Sequence, residues 1–179
     1  GVACAMFLSD EKRIKGIFSK SGDAQSNAFR SYFETIKKNI SKQKKYPLIV
    51  WFHGNGEGGY KEYRNNISHK LANRGVVSFA EEKSQKIFGG AYVVAPQVDD
   101  TWYNNYSKGY IKKVKEMIDD IISKTPNIDK NRIYVFGASA GGYMSIRMGI
   151  EYPNYFAGIN VSAPAINLAP DRGGVVTTE

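Results

Sequence analysis

The sequence has little of what builds metal centres and covalent staples. One cysteine, Cys4, and two histidines, His53 and His69, occur among 179 residues. A single thiol excludes an intrachain disulfide. A structural zinc site needs four Cys or His ligands, so none is expected, and no other cofactor is implied. No run of about 18 apolar residues occurs, which excludes a membrane-spanning helix within this stretch. Internal repeats and low-complexity tracts are missing too. Negative charge is in deficit: 25 Lys and Arg stand against 17 Asp and Glu, a formal net charge of +8. The densest basic patch is Lys37, Lys38, Lys42, Lys44 and Lys45. It has no interleaved aromatic residues, so it reads as a solvated surface and no nucleic-acid partner is expected.

What is present is ordinary for a folded domain. Apolar residues make up 42% and charged residues 23%, which excludes a disordered chain. At roughly 150 residues per domain the length allows one. Residues 1–45 read as N-terminal strands or an extension of the domain whose core is 46–179. Within the first part, residues 5–36 read as short strands around the turn cluster Ser21-Gly22-Asp23, and 37–46 as a polar connector. Leu48-Ile49-Val50-Trp51-Phe52 is an apolar run without alternation, the pattern of a strand covered on both faces. Residues 62–75 carry Tyr63, Ile67 and Leu71 at helical spacing, with Gly75 as the stop. Ala91–Ala95 is a second buried strand ended by Pro96. Residues 109–124 form an amphipathic helix with Ile111, Val114, Ile118, Ile121 and Ile122 on one face. After a turn at 129–132, Ile133–Phe136 is a third strand, 140–151 a helix and 156–161 a fourth strand. Strands alternating with helices predict an α/β fold with a mostly parallel sheet, whose ligand sits at the carboxyl ends of the strands.

Two of those strand ends carry unusual residues. Gly137-Ala138-Ser139-Ala140-Gly141 matches G-x-S-x-G between a strand and a helix. There a nucleophile sits on a strained turn, and small neighbours let strand and helix approach. The Ala140 amide, at the start of the new helix, points where an oxyanion would develop. The bland alternative is a tightly packed turn in which Ser139 only caps the helix. The second feature is His53-Gly54-Asn55-Gly56-Glu57, a glycine-rich loop that offers the Asn55 amide as a second donor. No Gly-Lys-Ser/Thr follows, so a phosphate-binding loop is not expected. His53 precedes the loop and is not expected to be the general base.

These segments resemble the α/β-hydrolase serine esterases of the feruloyl esterase-like and polyhydroxybutyrate depolymerase-like group. The resemblance is carried by Tyr46 to Glu57, by Val94-Ala95-Pro96-Gln97 with Asp100-Thr101-Trp102-Tyr103, by Asn131 to Tyr143 and by Glu151 to Ala157. It implies Ser139 as nucleophile, an oxyanion hole from the Asn55 and Ala140 amides, and substrate contacts from Trp102 and Gly54. Glu57 is implied to order the loop. The implied substrate is a small-molecule or polysaccharide-linked carboxylic ester, and many such relatives are extracellular.

In this fold the triad runs Ser, acid, His along the chain. No His follows Ser139, and the acids beyond it are Glu151, Asp171 and Glu179. Without a base a serine hydroxyl is a poor nucleophile. The expectation is therefore a fold incomplete at its C-terminus. A companion segment or chain of the same precursor, beyond residue 179, would supply the Asp and His. The alternatives are a prolyl oligopeptidase-like peptidase, or a non-catalytic binding protein that kept the elbow and lost the triad.

Overall fold

Strands buried on both faces need helices on both sides, and the chain provides them. The computed structural model describes residues 4–7, 31, 34–58, 74–98 and 100–166. Five strands form one sheet: β1 (Cys4–Phe7), β2 (Tyr46–Phe52), β3 (Tyr92–Gln97), β4 (Ile128–Ala138) and β5 (Gly158–Ser162). Their spatial order is β1-β3-β2-β4-β5. β1 runs antiparallel to β3, and the other pairings are parallel. Helices among the described residues include α1 (Gly75–Ser78), α2 (Glu82–Phe88), α3 (Asn105–Lys108), α4 (Tyr110–Lys124) and α5 (Ala140–Glu151).

The period of two along each strand sorts side chains onto two faces. Leu48, Val50 and Phe52 of β2 pack with Tyr92, Val94, Ile133 and Val135 under α4 and α5, against Val114, Ile118, Tyr143, Met144 and Met148. Ile49, Val93 and Ala95 face the other way, against Ile36, Val76, Val77 and Ala80. The parallel strands and the helix at 110–124 match the sequence reading closely, because no competing pattern interrupts those runs.

Four expectations need correction. Residues 34–39 are helical, not strand, and Ile36 is fully buried on the second face. Gly75 opens α1 instead of ending a helix. A Cβ there would meet the Trp51 ring at 2.1 Å, so its smallness serves packing. The rest of the helix expected over 62–75, with His69, falls at 62–73, outside the described residues. β3 continues through Pro96, which is opposite Ala5 of β1. The turn expected at 129–132 lies inside β4. Between Tyr46↔Ile128 and Leu48↔Ile133 the register shifts, so β4 bulges there. The turn chemistry is present: Asp129 Oδ1 accepts from the Asn131 N–H at 3.0 Å, and Arg132 Nε donates to Asp129 Oδ2 at 2.8 Å.

Candidate active site

The parallel pairing puts the two motif-bearing strand ends side by side, with Phe52 of β2 opposite Gly137 of β4. The chain leaves β4 and enters α5 in one step, through Ser139. Its backbone sits at φ 53°, ψ −118°, a conformation that costs a non-glycine residue on the order of 1–3 kcal/mol. The surroundings fix it there. The Ser139 N–H donates to the Ser162 carbonyl at 3.1 Å, and the Ser139 carbonyl accepts from Tyr143 and Ala165, each at 3.1 Å. The sharpness of the turn demands small residues. A Cβ on Gly137 would lie 2.3 Å from the Gly141 oxygen, and one on Gly141 2.0 Å from the Phe52 oxygen. Ser139 is exposed and makes no side-chain cap for α5. The bland reading of this serine as a helix cap therefore fails.

The adjoining loop is a tight turn. The Glu57 N–H donates to the Gly54 carbonyl at 3.4 Å, and Gly56 has φ +80°, the positive value that the third residue of a type II turn requires. Glu57 Oε2 accepts the Gly54 N–H at 2.8 Å. Among the described residues the Asn55 N–H has no acceptor. The Ala140 N–H, first in α5, has no carbonyl one turn back to bond. Asn55 is exposed and Ala140 buried. Among the described residues, two backbone donors without partners thus lie on neighbouring strand ends beside an exposed serine.

Three residues at the strand ends are buried. Trp102 is fully buried. Its ring packs edge-on against Phe52 with centroids 5.1 Å apart, and its Nε1 donates to the His53 carbonyl at 3.1 Å. The sequence marked it as a substrate contact because an aromatic on a strand-end loop looks the same whether it faces in or out. Gly54 is likewise buried, with its N–H engaged by Glu57. His53 is 3% exposed. Its Nδ1 bonds the Gly54 carbonyl at 2.7 Å and its Nε2 accepts from the Val98 N–H at 3.4 Å. That pairing requires the proton on Nδ1 and leaves both nitrogens occupied by backbone, so His53 braces the loop and does not serve as base.

The sequence reading quoted Asp100 within a resembling segment but gave it no role; it anchors the turn carrying Trp102. It accepts from Tyr110 Oη at 2.6 Å and Asn104 Nδ2 at 2.8 Å, and pairs with Lys108. Burial would raise its carboxyl, but the bonds from Lys108, Tyr110 and Asn104 outweigh that and hold it below the usual carboxylate range. A carboxyl with a lowered folded value stabilises the fold above its unfolded value, and the contribution fades as pH drops through the folded one. Asp100→Asn is expected to lower the melting temperature at pH 7 and to lower it less at about pH 2, because the contribution of the ionised carboxyl fades as pH drops through its lowered folded value. Thermal melts at the two pH values check this. The faint signal in the sequence was Asp100-Thr101 immediately before Trp102, a pair that favours capped turns.

The family whose description is serine aminopeptidase, S33, matches residues 43–177. The chain is 28% identical over 86 residues to a poly(3-hydroxybutyrate) depolymerase of Ralstonia pickettii, covering 41% of this chain and 18% of that protein. It is 33% identical over 79 residues to poly(3-hydroxyalkanoate) depolymerase C of Paucimonas lemoignei, covering 37% and 19%. Among solved structures, a thermostable esterase superposes with a TM-score of 0.58 at 31% identity, over 68% of this chain and 34% of that one. The chain thus spans about a fifth of the length of these curated relatives and about a third of the esterase. With its parallel sheet, its strand–Ser139–helix turn and a family match over most of its length, the chain belongs to the serine aminopeptidase, S33, family of α/β-hydrolase-fold serine hydrolases.

Proposed function

We propose that this chain is the nucleophile-bearing part of a serine esterase that cleaves carboxylic esters through an acyl-enzyme on Ser139. The observation that carries the reading is the strained, exposed Ser139 between β4 and α5, beside the Asn55 and Ala140 amides, which have no partner among the described residues. The hydroxyl oxygen attacks the ester carbonyl. The two amides hold the oxyanion of the tetrahedral intermediate. Its collapse expels the alcohol, and water then releases the acid. The base that takes the serine proton, and the acid that orients it, come from sequence beyond residue 179. Support for that comes from the β5 end of the sheet. Among the described residues β5 pairs with β4 alone, and Ile150, Ile159 and Ile166 are 52%, 41% and 44% exposed. A strand edge and an apolar surface of this kind call for cover.

The ester is favoured by the depolymerase and esterase relatives, and a polymeric hydroxyacid ester suits the same chemistry. The lack of any His after Ser139 favours a second reading, a binding protein that kept the elbow without turnover. One experiment separates them. The full-length gene product is treated with a fluorophosphonate and its intact mass is recorded. An adduct on Ser139, with turnover of short-chain 4-nitrophenyl esters, supports the esterase. A folded protein that takes no adduct sinks it and leaves the binding protein.

A further inference from the structure

Among the described residues, three that are not glycine hold a positive φ: Arg74, Ser139 and Ala163. The last two are tied together through neighbouring peptides. Ala163 follows β5 as Ser139 follows β4, and the parallel pairing sets Ser162 opposite Ala138. Ser162, just before Ala163, accepts the Ser139 N–H at 3.1 Å, and Ala165, two residues after it, donates to the Ser139 carbonyl at 3.1 Å. We infer that Ala163 is a positioning residue: its left-handed turn at the exit of β5 holds the backbone of Ser139 and so aims the hydroxyl. The inference rests on the esterase reading and goes further, because it gives a residue outside both strand-end motifs a part in setting kcat.

A left-handed backbone is unfavourable for alanine and needs something to offset it. Burial of the methyl does not, since Ala163 is exposed. The bonds on its two sides do. The N–H of Ser139 belongs to the peptide before it and the carbonyl to the peptide after it. Contacts from Ser162 and Ala165 therefore fix both peptide planes, and with them the φ of 53° at the elbow. Tyr143 shares the carbonyl from within α5, so the Ser162 contact, on the N–H side, is the one the helix cannot replace. To make both contacts the chain must double back after Ser162. At φ 42° Ala163 does so, where an extended residue would carry the chain onward from β5. Pro164 disfavours the right-handed helical alternative at the residue before it. The turn closes as the Ile166 N–H donates to the Pro164 carbonyl at 3.0 Å. It rests on α5, where a Cβ on Gly142 would lie 2.9 Å from the Pro164 Cα. Strand exit and helix entry are thus both held from the β5 side. Strained residues fixed by their surroundings cluster at working sites, and a misplacement of about 1 Å can cost on the order of 10²-fold in rate.

The test uses the full-length gene product. Fluorophosphonate labelling carried to completion counts the active sites, so that kcat on short-chain 4-nitrophenyl esters is expressed per labelled serine. Ala163→Val places a β-branched residue where φ is positive, a conformation it does not tolerate. Its kcat per labelled serine is expected to fall by about 10- to 100-fold with KM within about twofold. Ala163→Gly and Ala163→Asn both accept the left-handed region and are expected to keep kcat within about threefold of the parent. Asparagine is close to valine in size, so this pair separates conformation from bulk. If Ala163→Val does not fold, Ala165→Pro, which deletes the donor to the Ser139 carbonyl, carries the same comparison. An unchanged kcat in the valine variant, a loss expressed in KM alone, or a glycine or asparagine variant outside its margin overturns the inference. So does a fall in melting temperature and in labelled serines with kcat per labelled serine at the parental value, the mark of a merely structural role. Failure of the esterase reading is distinguishable, since the parent itself would then take no label and show no turnover.

Discussion

Replacing Ser139 by alanine in the full-length gene product is expected to lower esterase turnover by about 10⁴-fold or more and to abolish fluorophosphonate labelling, while ester binding persists. The size follows from what remains. The amides of Asn55 and Ala140 would still polarise the carbonyl, but no oxygen of the protein would stand in line to attack it. In a comparable triad enzyme the oxyanion hole and binding alone leave roughly 10³–10⁴ over the uncatalysed rate. Steady-state kinetics beside intact-mass labelling measure both halves of the result. Because Ser139 caps nothing with its side chain, the melting temperature of the variant should not fall. Relief of the strained φ is not available either, since alanine inherits the same backbone. A variant that melts unchanged and still hydrolyses ester at the parental rate would remove Ser139 from the chemistry.

Gly141→Ala is expected to be the most destabilising single-methyl addition among the described glycines. The added Cβ would lie 2.0 Å from the Phe52 carbonyl oxygen, 2.6 Å from its carbon and 2.6 Å from the His53 oxygen. All three are backbone atoms at the end of the central strand, and none is the tip of a flexible side chain. To admit the methyl, α5 must lift from β2, which opens the spacing between the Asn55 and Ala140 amides. Overpacking of a rigid site costs about 3 kcal/mol and occasionally more, and urea denaturation would read it as a lowered midpoint. Gly89→Ala makes the informative contrast. Gly89 caps α2 at φ 67° with nothing within 4 Å of a Cβ, so only conformational strain applies, at about 1 kcal/mol. The two variants separate close approach from backbone freedom.

How far the sequence could be read depends on the kind of signal each residue carries. Leu48 to Phe52 and Ile133 to Phe136 announce strands because hydrophobic residues in succession can be satisfied only by cover on both faces. Ser139 announces itself because few other arrangements need small residues on both sides of a serine between a strand and a helix. The turn at 129–132 was legible as chemistry but not as geometry. Asp129 and Arg132 make the bonds of a turn, yet the strand continues through them, since Tyr46 already pairs with Ile128 upstream. The helix at 34–39 was legible, since Phe29, Phe33, Ile36 and Ile40 stand at helical spacing in the sequence, but the turn cluster at 21–23 was read as separating strands. Trp102 and Gly54 show the limit of residue type as evidence. Both are buried here, and burial is something that spacing does not encode.

The strand order has a consequence for how the chain is made. β2 is the centre of the sheet, yet its partners β3 and β4 lie far downstream. On the ribosome, at about 5–20 residues per second, the stretch from Phe52 to the end of β4 at Ala138 takes roughly 4–17 s to synthesise. Until β3 follows, about half-way through that interval, Leu48-Ile49-Val50-Trp51-Phe52 has no parallel neighbour, and it is an uncharged segment of high β-propensity, the type that pairs with other chains. The lysines immediately before it, Lys42, Lys44 and Lys45, stand where charged gatekeepers blunt such pairing. The basic run thus stands where it would guard, before the fold exists, the strand on which Ser139's neighbours are later assembled.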